Sequence, residues 1–271
     1  MQSNAAKKKK TTKPQIKKPF LRGKPVSALA IRRGFRILTY LLLSTILYFF
    51  LGQLMVIEVP WLRILVNLVA LGAFAGLLYS NGARDGEGDV SFAEIAYTRK
   101  QEGKPVSEED LNRCFHPAKG FVTALAGALP VVLLCLVYAF MAVKDTYSLG
   151  ALPSWVGAYE SRADIGLALS YYHDYAGIGA ADILRLIVRL LVFPFVNMVG
   201  SRNADALLLV ERLSPLLVLI VPMFYGIGYL RGETYRSMVH GGIAANAKRT
   251  AQKQRKKKKA AARRQEPKQL V

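Results

Sequence analysis

The residues best equipped for chemistry gather in one stretch. Tyr171-Tyr172-His173-Asp174-Tyr175 sets an imidazole beside a carboxylate, with Glu160, Arg162, Asp164, Asp182, Arg185 and Arg189 nearby. An imidazole titrates near neutral pH and ligates metals, so His173 with Asp174 could do acid–base work or hold an ion. A metal centre needs several converging ligands. Neither a second His nor a Cys accompanies His173, since His116 and His240 belong to remote segments. Tyrosines at a lipid headgroup boundary also serve simply as anchors. That plainer reading prevails, and His173, Asp174, Arg185 and Arg189 mark only a possible outer pocket.

A second candidate is Asp85-Gly86-Glu87-Gly88-Asp89-Val90-Ser91-Phe92-Ala93-Glu94. A calcium loop of the EF-hand type needs twelve positions, with glycine at the sixth and a bidentate Glu at the twelfth. This segment is too short and lacks that glycine. It reads instead as a turn leading into a capped helix. No nucleophile elbow, phosphate loop or HExxH pair occurs. Cys114 and Cys135 fall in segments that topology keeps apart, so no disulfide is expected. No catalytic residue, metal or cofactor is assigned.

The third candidate is charge itself. Lys7 to Lys10 form one tight basic cluster; Lys256, Lys257, Lys258, Lys259, Arg263 and Arg264 form another. Residues 1–36 contain no acid, and residues 231–271 carry only Glu233 and Glu266, so the formal net charge of +20 resides at the two ends. Anionic headgroups gain about 1 kcal/mol per nearby Lys or Arg. RNA phosphates would bind with strong salt dependence. No aromatics interleave with these basic runs, so binding would not be sequence-specific. The bland alternative is that the charges only set topology.

These groups need elements to position them. A bilayer core of about 30 Å takes roughly 20 apolar residues as helix. Four runs qualify: 37–57, 62–79, 121–143 and 213–230. The first is too long and too far from the N-terminus for a signal peptide. No acid lies within these four runs, which argues against an ion pathway. A fifth apolar segment, 183–199, carries Arg185 and Arg189 four residues apart and is interrupted by Pro194. Lys and Arg flanking spans remain cytosolic, and a fifth span would put the basic C-terminus outside. Segment 183–199 is therefore expected to lie along the outer interface or re-enter, with both arginines toward headgroups or water.

The fold class expected is all-α: a polytopic integral membrane protein with four transmembrane helices plus one interfacial or re-entrant amphipathic helix. Its parts are a basic cytosolic tail 1–36, a transmembrane hairpin 37–80, a cytosolic helical loop 81–119, a third span 120–143, an outer cap 144–212, a fourth span 213–230 and a basic cytosolic tail 231–271. In the loop, Ser91 and Ser107 each precede an acid by three residues, the pattern of two capping boxes, and its acidic balance suits packing against a basic terminus. The tail 244–253 favours helix by propensity. The function expected is a non-enzymatic accessory or scaffold of a bacterial-type cytoplasmic membrane, whose tails hold anionic lipid headgroups or ribosomal RNA. The alternative is a small-solute transport component gated by the outer cap; third comes a membrane-bound enzyme centred on His173 and Asp174.

Overall fold

The protein is described by a computed structural model over residues 16–55, 57, 59–144, 159, 162–166, 168–169, 179–200 and 203–265. Among these, the regular structure is entirely helical. The helices are α1 (Ala28–Met55), α2 (Pro60–Gln101), α3 (Glu108–Arg113), α4 (Lys119–Met141), α5 (Ala180–Leu191), α6 (Phe193–Val199), α7 (Ala204–Leu230) and α8 (Gly232–Gln265). Four of them, α1, α2, α4 and the helix beginning with α7, are long and apolar enough to cross a membrane. Many of their large apolar side chains point outward: Phe140 is 85% exposed, Leu54 77% and Phe50 71%. Fully buried side chains include Lys119, Glu211 and Asn67. Apolar outside and polar inside suits a lipid solvent.

Chain order and spatial order differ. α4 and α7 form the centre; α1 packs on the outer side of α4 and α2 on that of α7. α1 and α2 follow one another yet hardly touch. At one end of the bundle α5 reaches α1, α4 and α7, and α6 reaches α2. Val188 and Val192 of this pair join the main core with Val131, Cys135, Tyr138 and Val218.

Close approach, rather than bulk, seats α2 on α7. A Cβ on Gly82 would collide with the Tyr225 carbonyl, and one on Gly228 with the Tyr79 carbonyl. Gly82 with Gly86, and Gly228 with Gly232, each make a G-x-x-x-G pair on the facing surfaces. Without a hydrophobic drive between helices in lipid, such small-residue faces let backbones meet and gain dispersion contact.

Two expectations about 81–119 are corrected here. No turn occurs at 85–91, and Ser91 caps nothing, because α2 runs unbroken for 42 residues. Gly82, Gly86, Asp89, Val90, Ala93 and Ala96 are all buried, a helical spacing of three and four. Of the two glycines that suggest a turn, Gly86 is a contact point against the Tyr229 backbone, while Gly88 faces open space. The second box is present: Ser107 accepts from the Asp110 N–H, and Asp110 accepts from the Ser107 N–H. α2 ends at Gln101, and Gly103 follows at φ +75°.

The basic N-terminal segment lies against this acidic region. Leu21 N–H donates to the Ala93 carbonyl at 3.3 Å, and Gly23 N–H to the Phe115 carbonyl at 2.9 Å. Lys17 pairs with Glu233 at 3.1 Å and Lys24 with Glu108 at 3.0 Å.

Candidate functional site

α7 begins earlier than its apolar run. Asn203 accepts from the Ala206 N–H at 3.1 Å and caps it. The added turns place Glu211 inside the helix, where it is 1% exposed. This corrects the expectation that no spanning helix carries an acid. Arg189 Nε donates to Glu211 Oε1 at 2.6 Å, and the Tyr138 hydroxyl to Oε2 at 3.0 Å. Arg185 Nε donates to the Tyr138 oxygen at 2.6 Å and lies 3.5 Å from Glu211 Oε1. Its guanidinium also reaches the Val143 carbonyl.

The expected outward orientation of Arg185 and Arg189 is therefore reversed. Arg185 is buried, while Ile183, Leu186 and Ile187 of α5 are exposed. The cause is Glu211. Leaving a desolvated carboxylate unpaired costs far more than turning two guanidinium groups inward to meet it. The resulting cluster binds α5 to α4 and α7, and it contains Arg185 and Arg189, one half of the possible outer pocket. His173 and Asp174, the other half of that pocket, lie outside the described residues.

At the opposite end stands a second polar centre, built on α2. Asp89 accepts two hydrogen bonds from Arg33, each at 2.8 Å, one from Tyr229 at 2.6 Å and one from Lys119 at 3.2 Å. Lys119 completes its three donors on the Asn112 and Cys114 carbonyls at 2.7 and 3.0 Å. One turn earlier, Asp85 accepts from Tyr225 at 2.8 Å and from Arg36 at 3.5 Å. Two carboxylates thus connect α2 with α1, α4 and α7. Beside them Cys114 is fully buried, and burial pushes its thiol up from the ordinary value against the opposing pull of the Lys119 ammonium. Satisfied on every side, this centre is a structural clasp and has no open coordination.

Further along α2, Glu94 meets α8. Arg236 donates to it at 3.1 Å, and His240 Nε2 lies 2.8 and 2.9 Å from its two oxygens. Among the described residues no group of three metal ligands forms. Beyond His240, α8 proceeds alone. Lys256, Lys257 and Lys258 are exposed on it, and Lys259, Arg263 and Arg264 follow on the same helix. The helical reading of the tail is extended to the whole of 232–265.

Comparison with protein-family models, curated proteins and solved structures finds no match. Sequence reasoning missed Glu211 and Lys119, and it weighed Asp85 and Asp89 only as a calcium loop, not as partners of Arg33, Lys119 and Tyr229. Their signal was available only as spacing. Glu211, Ser214, Val218, Pro222, Tyr225 and Tyr229 recur every three or four residues and are all buried.

Proposed function

We propose that this chain is a non-enzymatic membrane accessory or scaffold protein that presents a basic helix to a cytosolic polyanion such as the ribosome. The observation carrying this reading is the register of α8 against α2. Gly232 abuts Gly86, and His240 meets Glu94, so both helices leave the bundle side by side in the same direction. Gly228 lies against Tyr79, the last residue of the second apolar run. From there to Lys248 are roughly twenty residues, or about 30 Å of helix. The screening length at physiological salt is about 8 Å. A rod held along that line keeps its charges several screening lengths from the headgroups. Its sequence from Asn246 to Gln265 has no apolar side chain larger than alanine, so it lacks the greasy face by which a surface helix enters lipid.

Orientation follows from the same charges. The basic segments 16–36 and 231–265 occupy the end of the bundle where α8 departs, and the positive-inside rule makes that end cytosolic. We assign the chain to a cytoplasmic membrane of the bacterial type, with α5 and α6 on the outer side as a re-entrant pair. Reporter fusions at residues 20 and 260 should both report the inside. For the functional claim, replacement of Lys256 to Lys259, Arg263 and Arg264 by Gln should abolish most co-sedimentation with ribosomes, while a scrambled tail of equal composition retains it. Unchanged binding by the neutralised tail would overturn the reading.

A second reading, a small-solute transport component, is favoured by one observation. The Glu211–Arg189 pair lies inside the bundle on elements that include the re-entrant α5, and intramembrane charges commonly mark a pathway. Solute uptake by reconstituted vesicles that vanishes in Glu211→Gln would decide for it.

A further inference from the structure

We infer that residues 16–24 form a charge-held strap that a soluble phosphate polyanion pulls open, uncovering Cys114 and the surface around it. The inference rests on the polyanion reading only for the class of ligand; the strap itself belongs to the other end of the chain.

The strap touches four parts of the bundle through its backbone. Ile16 N–H donates to the Ser237 carbonyl of α8 at 3.3 Å, and Leu21 N–H to the Ala93 carbonyl of α2 at 3.3 Å. Gly23 N–H donates to the Phe115 carbonyl at 2.9 Å, and Lys24 N–H to the Leu111 carbonyl of α3 at 3.4 Å. Pro19 and Pro25 hold the segment out of helix. Two side chains enter the bundle. Phe20 meets the Phe115 ring edge-on at 5.9 Å, and with Leu21 it packs on Ala93, Ala96 and Cys114. Gly23 passes so near that a Cβ there would collide with the Cys114 and Leu111 carbonyls.

The rest of the strap is charge. Lys17, Lys18, Arg22 and Lys24 make four of its nine residues cationic. In the closed arrangement Lys17 is committed to Glu233 at 3.1 Å and Lys24 to Glu108 at 3.0 Å, both toward solvent. Lys18 and Arg22 are exposed, and among the described residues neither meets a carboxylate. Exposed ion pairs hold weakly and yield to salt or to a stronger anion. A ligand shifts an equilibrium only by its differential affinity for the two states. The closed strap offers a polyanion two cations, and the released strap offers all four. That difference opens it.

Distance favours a soluble ligand over the membrane surface. Ala93 follows Tyr79, the last residue of the second apolar run, by fourteen positions, about 21 Å of helix. The middle of the strap therefore stands more than two screening lengths, each about 8 Å, from the headgroups. Release strips Phe20 and Leu21 from the buried Cys114, so its thiol reports the opening.

The test uses the full-length protein in mild detergent, with poly(U) as probe and maleimide labelling of Cys114, read by peptide mass, as the signal. Poly(U) should speed labelling about tenfold, a typical coupling between linked sites. Potassium chloride alone should speed it too, by screening the two pairs. It should also erase the added effect of poly(U), by displacing its phosphate contacts. Glu108→Gln combined with Glu233→Gln should label fast without poly(U) and bind poly(U) several-fold tighter. Glu102→Gln combined with Glu109→Gln, the same change of charge away from the strap, should label like the wild type. Hydrogen exchange over residues 16–26 of the unaltered chain should rise with poly(U) alongside the labelling; labelling without that exchange would overturn the proposal. Poly(U) that co-sediments with the chain yet leaves Cys114 protected would overturn the strap and leave the α8 reading standing. Equal binding and opening after Lys256 to Lys259, Arg263 and Arg264 are replaced by Gln would uphold the strap and overturn the α8 reading. Opening by phosphatidylglycerol vesicles as large as that by poly(U) would assign the ligand to the membrane and overturn the proposal.

Discussion

Arg189 Nε and Glu211 Oε1 lie 2.6 Å apart, one on α5 and the other on α7, with the Glu211 side chain only 1% exposed. Breaking such a pair leaves a naked charge. Glu211→Gln should therefore cost about 3–5 kcal/mol, read as a lowered thermal midpoint in detergent. Combining it with Arg189→Met should recover part of the loss, since contacting residues are not additive.

The two carboxylates of the clasp should differ in weight. The Asp89 side chain is 5% exposed and meets Arg33, Lys119 and Tyr229, whereas that of Asp85 is 16% exposed. Asp89→Asn is expected to destabilise by about 3–5 kcal/mol, and Asp85→Asn by less than half of that. Denaturant titration of the two variants checks the ranking; equal losses would contradict it.

The glycine crossing makes a sharper demand. Gly82→Val would drive a side chain into the Tyr225 backbone, which cannot rotate away. The penalty belongs at the upper end for overpacking, about 3 kcal/mol. Gly88→Ala, where a Cβ meets open space, should be neutral or slightly stabilising because alanine is the better helix former. Thermal midpoints of the pair provide the comparison.

Cys114 should be chemically silent. It is fully buried, and desolvation raises its thiol above the ordinary value. A maleimide should leave it unlabelled in the native protein at pH 7, and labelling should begin only above the pH at which a free cysteine ionises. The sign for stability follows: the unfolded chain loses this proton first, so the Cys114 contribution is present at neutral pH and lost as the solution becomes alkaline. Labelling at pH 7 equal to that of the unfolded chain would refute this.

Some of this was legible in the order of residues and some was not. Four apolar runs of membrane length announce four helices, because lipid leaves the backbone no other option. The extent of α2 was hidden. Gly86 and Gly88 read as turn residues until the Tyr229 backbone is known to pass against Gly86. The direction of Arg185 and Arg189 was hidden for a related reason. Their spacing defines a stripe, but a polar stripe turns toward water or toward another polar stripe, and Glu211 stood outside the apolar run. Asp89 and Lys119 are thirty positions apart, with nothing local to join them. Lys256 to Lys259 were plain to read because a charge cluster needs no partner to be seen.

The central place of α4 and α7 has a consequence for assembly. Synthesis delivers α1 and α2 first, yet these two are the flanks, joined directly by little more than the pairing of Arg33 and Arg36 with Asp85 and Asp89 and one ring contact, Tyr48 on Phe74. They must wait apart in the bilayer while the interior is still on the ribosome. Lys119 arrives with α4 and finds Asp89 already there; Glu211, Tyr225 and Tyr229 come last and close both ends at once. A chain truncated after Met141 should accordingly insert but stay open to protease between α1 and α2. One extended to Leu230 should resist. Maturation of this bundle is the filling of a gap from within, and its keystone is the final span.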